Sequence, residues 1–517
     1  MLAVPLQDAA GARAADAAAV EHGATWADLM DRAAAGLARQ VVRHAGHAYG
    51  LKVAIFASHG NNGGDGWAAA LHLRALGALP WVIAVTGLDA DMSEEAAEHR
   101  RRWRSVRGRT SDGFDEAADA IAWADVIIDA MLGTGATGEP RGPIGDACRL
   151  LATTDVPIVA CDIPTGIDAD TGAAATVAVT AAATVTFGAL KRGLLLPPGR
   201  QHAGRVTVIG LGDHWHGASD WEALTAAGAA PAALRPDDDK RTRGVAVVVA
   251  GAAGTSGAAA MSAIGAVRAG AGLVTVATPA VVRDEVAAHD PSIMTRGLPS
   301  EDGCLSADAV AALAPLLEHV DVVVAGPGLG TTPGVGVVVE HLRTSASRLV
   351  LDADALNVHR DDPTALADHA GTLVLTPHDR ELARIHPDGA SALANRAASV
   401  PRLAHLLDAT ILAKGPSTIV AAPDGRVWVT PTGGPGLGSG GTGDVLAGVV
   451  GAAIAKADDV PLAVARAAWW HGLAGDLAAA AAAGRGTAHG VLECLPRALE
   501  EARTLAVTDP TFPFELR

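Results

Sequence analysis

Asp444 closes a glycine-rich stretch, GGPGLGSGGTGD over 433–444, and the chain turns at once to Val445-Leu446-Ala447. So much glycine costs conformational order. Close approach of backbone N–H groups to an anion offsets that cost, and a following helix N-terminus adds its positive end. Asp444 then falls in the first helical turn beside the anion, where a carboxylate can accept a proton from an attacking hydroxyl. The amides of Gly438–Gly443 would stabilise charge on a transferring phosphoryl group. A flexible linker has similar composition, but a linker does not run straight into an apolar helix start with a single acid at the junction.

A second set of polar residues lies in the first half. Leu51–Ala57 has the pattern of a short buried strand, and Ser58-His59-Gly60-Asn61-Asn62-Gly63-Gly64-Asp65-Gly66 follows as a loop before a helix from Trp67 to Leu76. Strand, glycine loop and helix form the phosphate-binding arrangement of a doubly wound sheet. The loop is neither GxGxxG nor Walker A, and Asn61, Asn62 and Asp65 add oxygen ligands those loops lack; an ordinary Asn/Gly turn is the bland alternative. The strand Asp125–Ile128 ends in Asp129 and leads to Gly133-Thr134-Gly135-Ala136-Thr137-Gly138-Glu139. Pro157–Cys161 ends in Asp162-Ile163-Pro164-Thr165-Gly166. Three strand ends therefore carry a polar, glycine-containing loop with a carboxylate, and in a parallel sheet those ends share the ligand-binding edge.

The elements that must position these residues are those of two α/β domains. Ala24–Gln40 places Trp26, Leu29, Met30, Ala33 and Leu37 at helical spacing, and Trp81–Val85 and Val206–Ile209 add strands to the first domain. From Gly212 to Pro236 the periodicity is lost, and the charge run Asp237-Asp238-Asp239-Lys240 closes a stretch with the composition of a boundary. Buried strands resume at GVAVVVAG after Arg243, followed by the loop Gly251–Gly257, the helix Ala258–Ala269 and strands at Val322–Ala325, Leu349–Leu351, Thr372–Leu375 and Thr410–Leu412. Their ends carry GPGLG (326–330), DADALN (352–357), TPHDRE (376–381) and KGPST (414–418). Alone, His378 would be a satisfied loop histidine, Lys414 a solvated cation, and Asp352 and Asp354 helix caps. Beside GSGGTGD, each of these readings weakens.

A formal net charge of −17 over 517 residues opposes a nucleic-acid surface. Any anionic substrate must then be held by loops and helix ends. Cys148, Cys161, Cys304 and Cys494 are widely spaced, as for reduced thiols in a cytoplasmic protein. The start, MLAVPLQDAAGARAAD, lacks the basic region and apolar core of a signal peptide, and no apolar run reaches membrane-spanning length.

NNGGDG, DAMLGTG and CDIPTGID, with LMDRA near the start, resemble the NAD(P)H-hydrate epimerase domain across about residues 1–215. The resemblance implies a potassium ion held by Asn62, Asp129 and Thr165, where many relatives have Ser in place of Thr165. It also implies a hydrated nicotinamide nucleotide against Asn61, Asn62, Gly63, Gly64 and Asp65, against Gly133–Glu139 (Gly133, Thr134, Gly135, Ala136, Thr137, Gly138, Glu139), and against Asp162. GPGLG, DADALN, TPHDREL, KGPST and GSGGTGDVLAG are similar, in order, to the ADP-dependent NAD(P)H-hydrate dehydratase family, whose fold is ribokinase-like. That similarity implies nucleotide contacts at Lys414, Gly415, Pro416, Ser417, Thr418 and Gly443, and substrate contacts at Ala258, Gly330, His378 and Asp444. The loop Gly251–Gly257 departs from the pattern at Thr255-Ser256, where relatives often carry an aromatic residue.

The expectation is an α/β protein with a Rossmann-like doubly wound domain (1–215), a linker (216–240) and a ribokinase-like α/β domain (241–517). It would interconvert R and S hydrates of NADH and NADPH and dehydrate the S form at the expense of ADP, with Asp162 and Asp444 catalytic, K⁺ in the first domain and Mg²⁺ with ADP in the second. The partners are small molecules, hydrated NADH or NADPH and ADP, with no nucleic acid and no membrane; a homo-oligomer is compatible. A ribokinase-like kinase of small-molecule hydroxyls, fused to a nucleotide-binding domain, is the alternative. A non-catalytic nucleotide binder is a third, opposed by Asp444, because a pure binder has no use for a base there.

Overall fold

Strands such as Lys52–Ala57, Val126–Ala130, Val245–Val249 and Val322–Ala325 are almost wholly buried and rich in Val, Ile and Ala. Such strands suit a parallel sheet covered on both faces. The computed structural model describes residues 2–212 and 219–516. They form two compact units: residues 4–212 and 219–220 with 514–516, and residues 2–3 with 221–513.

The first unit has an 8-stranded sheet in the order Glu515–Leu516, Arg205–Ile209, Ala183–Phe187, Ile158–Cys161, Val126–Ala130, Lys52–Ala57, Leu79–Ala84, Arg109–Asp112. Each neighbouring pair is parallel, with Phe56 opposite Asp129 and Asp129 opposite Ala160. The chain starts the core sheet at Lys52–Ala57, builds outward to Arg109–Asp112, then returns to Val126–Ala130 on the other side. This is a topological switch point, where a crevice opens at the strand ends. The helix Trp26–Ala45 opens with a capping box, Thr25 Oγ1 accepting from Asp28 N (3.1 Å) and Asp28 Oδ2 from Thr25 N (3.2 Å).

One expected loop is a helix. Asn61–Ala75 is helical from its first residue, so Asn61–Gly66 are the opening turns rather than a connection. The glycines make this fit: a Cβ on Gly63 would lie 1.9 Å from the Ser58 carbonyl oxygen, and one on Gly66 2.8 Å from Ala130 Cβ. The helix therefore begins hard against two strand ends.

The second unit's sheet runs Met294–Leu298, Leu273–Pro279, Val245–Val249, Val322–Ala325, Arg348–Leu351, Thr372–Leu375, Thr410–Ala413, Ile419–Ala421, Val427–Val429, Trp221–Leu224. It is parallel as far as Thr410–Ala413, after which two antiparallel pairings follow. Helices Ser256–Arg268 and Thr442–Ile454 cross closely: a Cβ on Gly448 would lie 1.8 Å from the Ser262 carbonyl oxygen, and one on Gly265 2.8 Å from that of Val445.

The unit boundaries differ from the expected domains. Of the expected linker 216–240, residues 216–218 lie outside the described residues. Trp221–Leu224 is a strand parallel to Val427–Val429 and belongs to the second unit. At the far end, Glu515–Leu516 pairs with Thr207-Val208 and belongs to the first. Each strand is too short to show periodicity.

Candidate active sites

In the first unit, a cavity of about 420 Å³ opens at the switch point. Among the residues expected to bind substrate, Asn61, Asn62, Asp65, Gly133, Thr134, Gly135, Ala136 and Asp162 line it, together with Ser58, Met30 and Lys191. Gly138 and Glu139 instead line a neighbouring cavity of about 190 Å³, which shares Gly133 and Ala136. Glu139 Oε1 there accepts from Thr176 N (2.7 Å) and Thr176 Oγ1 (2.8 Å), which holds its carboxyl below the usual range. Thr137 lines neither cavity. Gly63 and Gly64 are buried against Ser58, Ala96 and Met30 and serve packing, not lining.

Asp129, Thr165 and Asn62 meet around the backbone of Leu132. Asp129 is fully buried; its Oδ1 accepts from Thr165 Oγ1 (2.7 Å) and its Oδ2 from Thr165 N (2.8 Å). Thr165 Oγ1 accepts from Leu132 N (3.0 Å), and Asn62 Nδ2 donates to Leu132 O (3.0 Å). Burial pushes the Asp129 carboxyl up to about 6 despite the hydrogen bonds from Thr165. Asn62 Oδ1 is buried and has no hydrogen-bond partner. An orphaned amide oxygen near a destabilised carboxylate and a hydroxyl is a donor set for a hard cation. Among the described residues no cluster of three or more His, Cys, Asp or Glu side chains gathers as a metal site.

Asp162 ends the strand Ile158–Cys161 with φ 65°, in the left-handed region that non-glycine residues adopt only when their surroundings impose it. Its Oδ1 accepts from Lys191 Nζ (2.6 Å), Thr186 Oγ1 (3.1 Å) and Phe187 N (3.4 Å); Oδ2 accepts from Thr134 Oγ1 (3.2 Å). Asp65 nearby is raised well above the usual carboxylate range, first by burial and then by Asp162 and Asp16. Lys191 was not singled out from the sequence. One Lys in the apolar run TVTFGALKRGLLL was the available signal.

In the second unit, the helix Thr442–Ile454 starts at Gly441 (φ 91°), and Asp444 lies in its first turn. Burial and then the Asp352 carboxylate push the Asp444 carboxyl up to about 6, against the pull of Lys414. Lys414 Nζ donates to Asp352 Oδ1 (2.6 Å) and stands 3.9 Å from Glu381 Oε2. Burial acts to lower the Lys414 pKa, but Asp352 and Glu381 outweigh it and the net direction is up. Gly443 is beside this cation, since a Cβ there would lie 3.4 Å from Lys414 Nζ.

Neither Asp352 nor Asp354 caps a helix through its side chain. Asp352 Oδ1 binds Lys414 and Thr376 Oγ1 (2.7 Å), and Asp354 Oδ2 accepts from Gly330 N (2.9 Å). His378 does cap: its Nδ1 accepts from Arg380 N (3.1 Å) and Glu381 N (3.2 Å), leaving Nε2 3.4 Å from Glu381 Oε1. Ala258 is half-buried in the first turn of Ser256–Arg268, near Thr255, whose hydroxyl donates to Gly328 O (2.7 Å). Gly415, Pro416 and Thr418 line a small cavity of about 60 Å³ with Gly433, Leu446 and His471, while Ser417 is buried. Arg396, also not foreseen, braces this loop by donating to Ala413 O (2.9 Å) and Lys414 O (3.0 Å).

Two α/β units, each gathering carboxylates, a lysine and glycine-rich segments at its strand ends, define a two-site α/β protein. The sequence family described as YjeF-related protein N-terminus matches residues 26–193, and that described as NAD(P)H-hydrate dehydratase matches residues 246–497. The chain is 34% identical over 501 residues to the bifunctional NAD(P)H-hydrate repair enzyme of Moorella thermoacetica, covering 92% of this chain and 94% of that one. With the enzyme of the same name from Pyrobaculum aerophilum it shares 36% identity over 484 residues, 91% of this chain and 93% of that one. The chain therefore belongs to the bifunctional NAD(P)H-hydrate repair enzyme family. A solved structure, the ADP/ATP-dependent NAD(P)H-hydrate dehydratase of Bacillus subtilis, is 27% identical, covering 54% of this chain and 97% of that one with a TM-score of 0.46.

Proposed function

We infer that the chain repairs hydrated NADH and NADPH in two steps. The first unit interconverts the R and S hydrates, and the second dehydrates the S form at the expense of ADP, giving AMP and phosphate. Family membership over nine-tenths of the chain supports the pairing of activities. In the second unit the observation that carries the reading is Asp444, a base raised to about 6 in the first turn of a helix whose N-terminus faces Lys414.

Hydroxide is a poor leaving group. Asp444 takes the proton from the substrate hydroxyl as its oxygen attacks the terminal phosphorus of ADP, and the bond to AMP breaks. Loss of a proton from the adjacent carbon then expels phosphate with the C–O electron pair and restores the double bond. Lys414 and the amides before Asp444 hold phosphate charge. Mg²⁺ would neutralise the diphosphate. Nucleotide would lie along Lys414–Thr418 and Gly443; Ala258, Gly330 and His378 border the hydrate.

In the first unit, Asp162 takes the proton of the hydroxyl on the hydrated ring carbon as the bond from that carbon to the ring nitrogen breaks, leaving an open-chain aldehyde with the proton passed to nitrogen. Reclosure on the other face of the aldehyde returns the proton to oxygen and inverts the centre, and Thr134 ties the Gly133–Glu139 loop to Asp162. Asn62, Asp129 and Thr165 would hold K⁺; the orphaned Asn62 oxygen supports that assignment. Bound there, the ion would supply positive charge that orders the loops on either side.

Incubation of chemically hydrated NADH with ADP tests the whole. Recovery of reduced-nicotinamide absorbance from both epimers is expected; accumulation of a stable phosphorylated product would favour the small-molecule kinase.

A further inference from the structure

Lys191 is the buried cation of the first cavity, and nothing in the proposed chemistry yet uses it. Its side chain is 3% exposed, yet it lines the cavity beside Asp162. Two of its three protons are committed, one to Asp162 Oδ1 (2.6 Å) and one to Phe187 O (2.7 Å). A lysine buried to this degree costs several kcal/mol unless paired, and a purely structural pair could be replaced by apolar residues without loss. The pair here is placed asymmetrically on the carboxylate. Oδ1 receives Lys191, Thr186 Oγ1 and Phe187 N, which exhausts its acceptor capacity. Among the described residues Oδ2 receives only Thr134 Oγ1 at 3.2 Å, from the loop that borders the cavity.

The backbone shows the same bias. Asp162 is held at φ 65°, and its N–H donates to Val185 O (2.8 Å), so main chain and side chain are both fixed. The acidic groups around it are unfavourable to a further negative charge: Asp65 and Asp16 line the same cavity, and Asp129 lies on the neighbouring strand. Among the described residues Lys191 is the cation paired with Asp162, and Arg13 and His59 also line the cavity.

We propose that Lys191 is a positioning residue for epimerisation: it clamps Asp162 Oδ1, with Thr186 and Phe187, so that Oδ2 is presented to the hydroxyl of the hydrate. The proposal rests on the epimerase reading of this cavity. Lys191 acts through Asp162 and makes no bond to substrate, so its loss affects the protonation of the base rather than the fit of the nucleotide.

The test is the pH profile of epimerisation in the full-length chain, followed as exchange between resolved R and S hydrates above the spontaneous rate. In Lys191→Met the carboxylate loses the cation that offsets its charge. The acidic limb of kcat should move up by about 1–3 pH units, the range produced by removing an adjacent opposite charge, with KM changed by less than about twofold. In Thr186→Val, which leaves the charge balance intact, the limb should move the same way by less than about one unit. A loss that is equal at every pH in both variants makes Lys191 merely structural and overturns the proposal. A raised KM with an unmoved limb also overturns it, since Lys191 would then bind substrate. If Lys191→Met does not fold, judged by circular dichroism and retained dehydration, an unmoved limb in Thr186→Val is decisive against it. Failure of the unaltered enzyme to exceed the spontaneous rate would instead remove the epimerase reading.

Discussion

Asp444 is raised to about 6 chiefly by burial, and a general base works only when ionised. For the free enzyme, kcat/KM for dehydration should therefore fall as pH drops through about 6, where an ordinary Asp would hold activity to near 3.8. A profile flat down to pH 4.5 would contradict the assignment. Asp444→Asn preserves shape and removes the base, so dehydration should drop by about 10²–10⁴-fold while epimerisation is unchanged. Lys414 makes a different prediction because its partner cannot reach water. Asp352 is 1% exposed, and Lys414→Ala leaves it as a buried, uncompensated charge. That loss costs about 3–5 kcal/mol in fold stability, alongside weaker ADP binding. Calorimetry of ADP binding, paired with a thermal melt, separates the two effects. An unaltered melt with unaltered affinity would make Lys414 incidental.

At the scale of elements, glycine decides where helices can begin and cross. Ser262 O would lie 1.8 Å from a Cβ on Gly448, against backbone that cannot rotate away. Gly448→Ala must therefore push Thr442–Ile454 off Ser256–Arg268, destabilising the second unit by about 1–3 kcal/mol, as overpacking does. Chemical denaturation followed by Trp fluorescence checks it, and an unchanged midpoint would mean the helices have room to spare. The same close approach explains what the sequence could and could not show. Buried strands such as Val322–Ala325 and polar strand ends such as Asp162 and Asp352 stand out by composition and order. Asn61–Gly66 looks like a loop because glycine and Asn are poor helix formers, yet steric fit against Ser58 and Ala130 overrides that propensity. Trp221–Leu224 and Glu515–Leu516 are strands only because a distant partner pairs with them, and no local pattern encodes that. Lys191 and Arg396 escaped for a related reason. Both are single cations whose meaning depends on the oxygens the fold brings to them.

At the scale of the whole molecule, the chain divides into two units, and each carries its own acid and its own glycine-rich edge. Chemistry in one should survive damage confined to the other. Asn62, in the opening turn of the helix Asn61–Ala75, and Asp129, in the strand Val126–Ala130, meet at Leu132 and Thr165. If they share a potassium ion, Asp129→Ala removes the formal charge of the donor set, whereas Asn62→Ala removes a neutral oxygen. Both should lose epimerisation, because the Asn61–Asp65 turns and the Gly133–Glu139 loop lose their common anchor. Raising potassium should restore part of the rate in Asn62→Ala by mass action and much less in Asp129→Ala. Dehydration of the pure S hydrate should be untouched in both. The sign of the stability change separates the ion from a plain buried acid. Burial raises Asp129 from 3.8 to about 6, so without a cation its ionisation destabilises the fold progressively as pH rises from about 3.8 to about 6, and by a constant amount above. The unaltered protein in sodium alone should then melt lower at pH 8 than at about pH 4.5 by more than Asp129→Ala does. Added potassium should cancel the difference if the ion resides there. Equal melts with and without potassium at pH 8 would remove the cation and leave Asp129 as a loop-tying carboxyl.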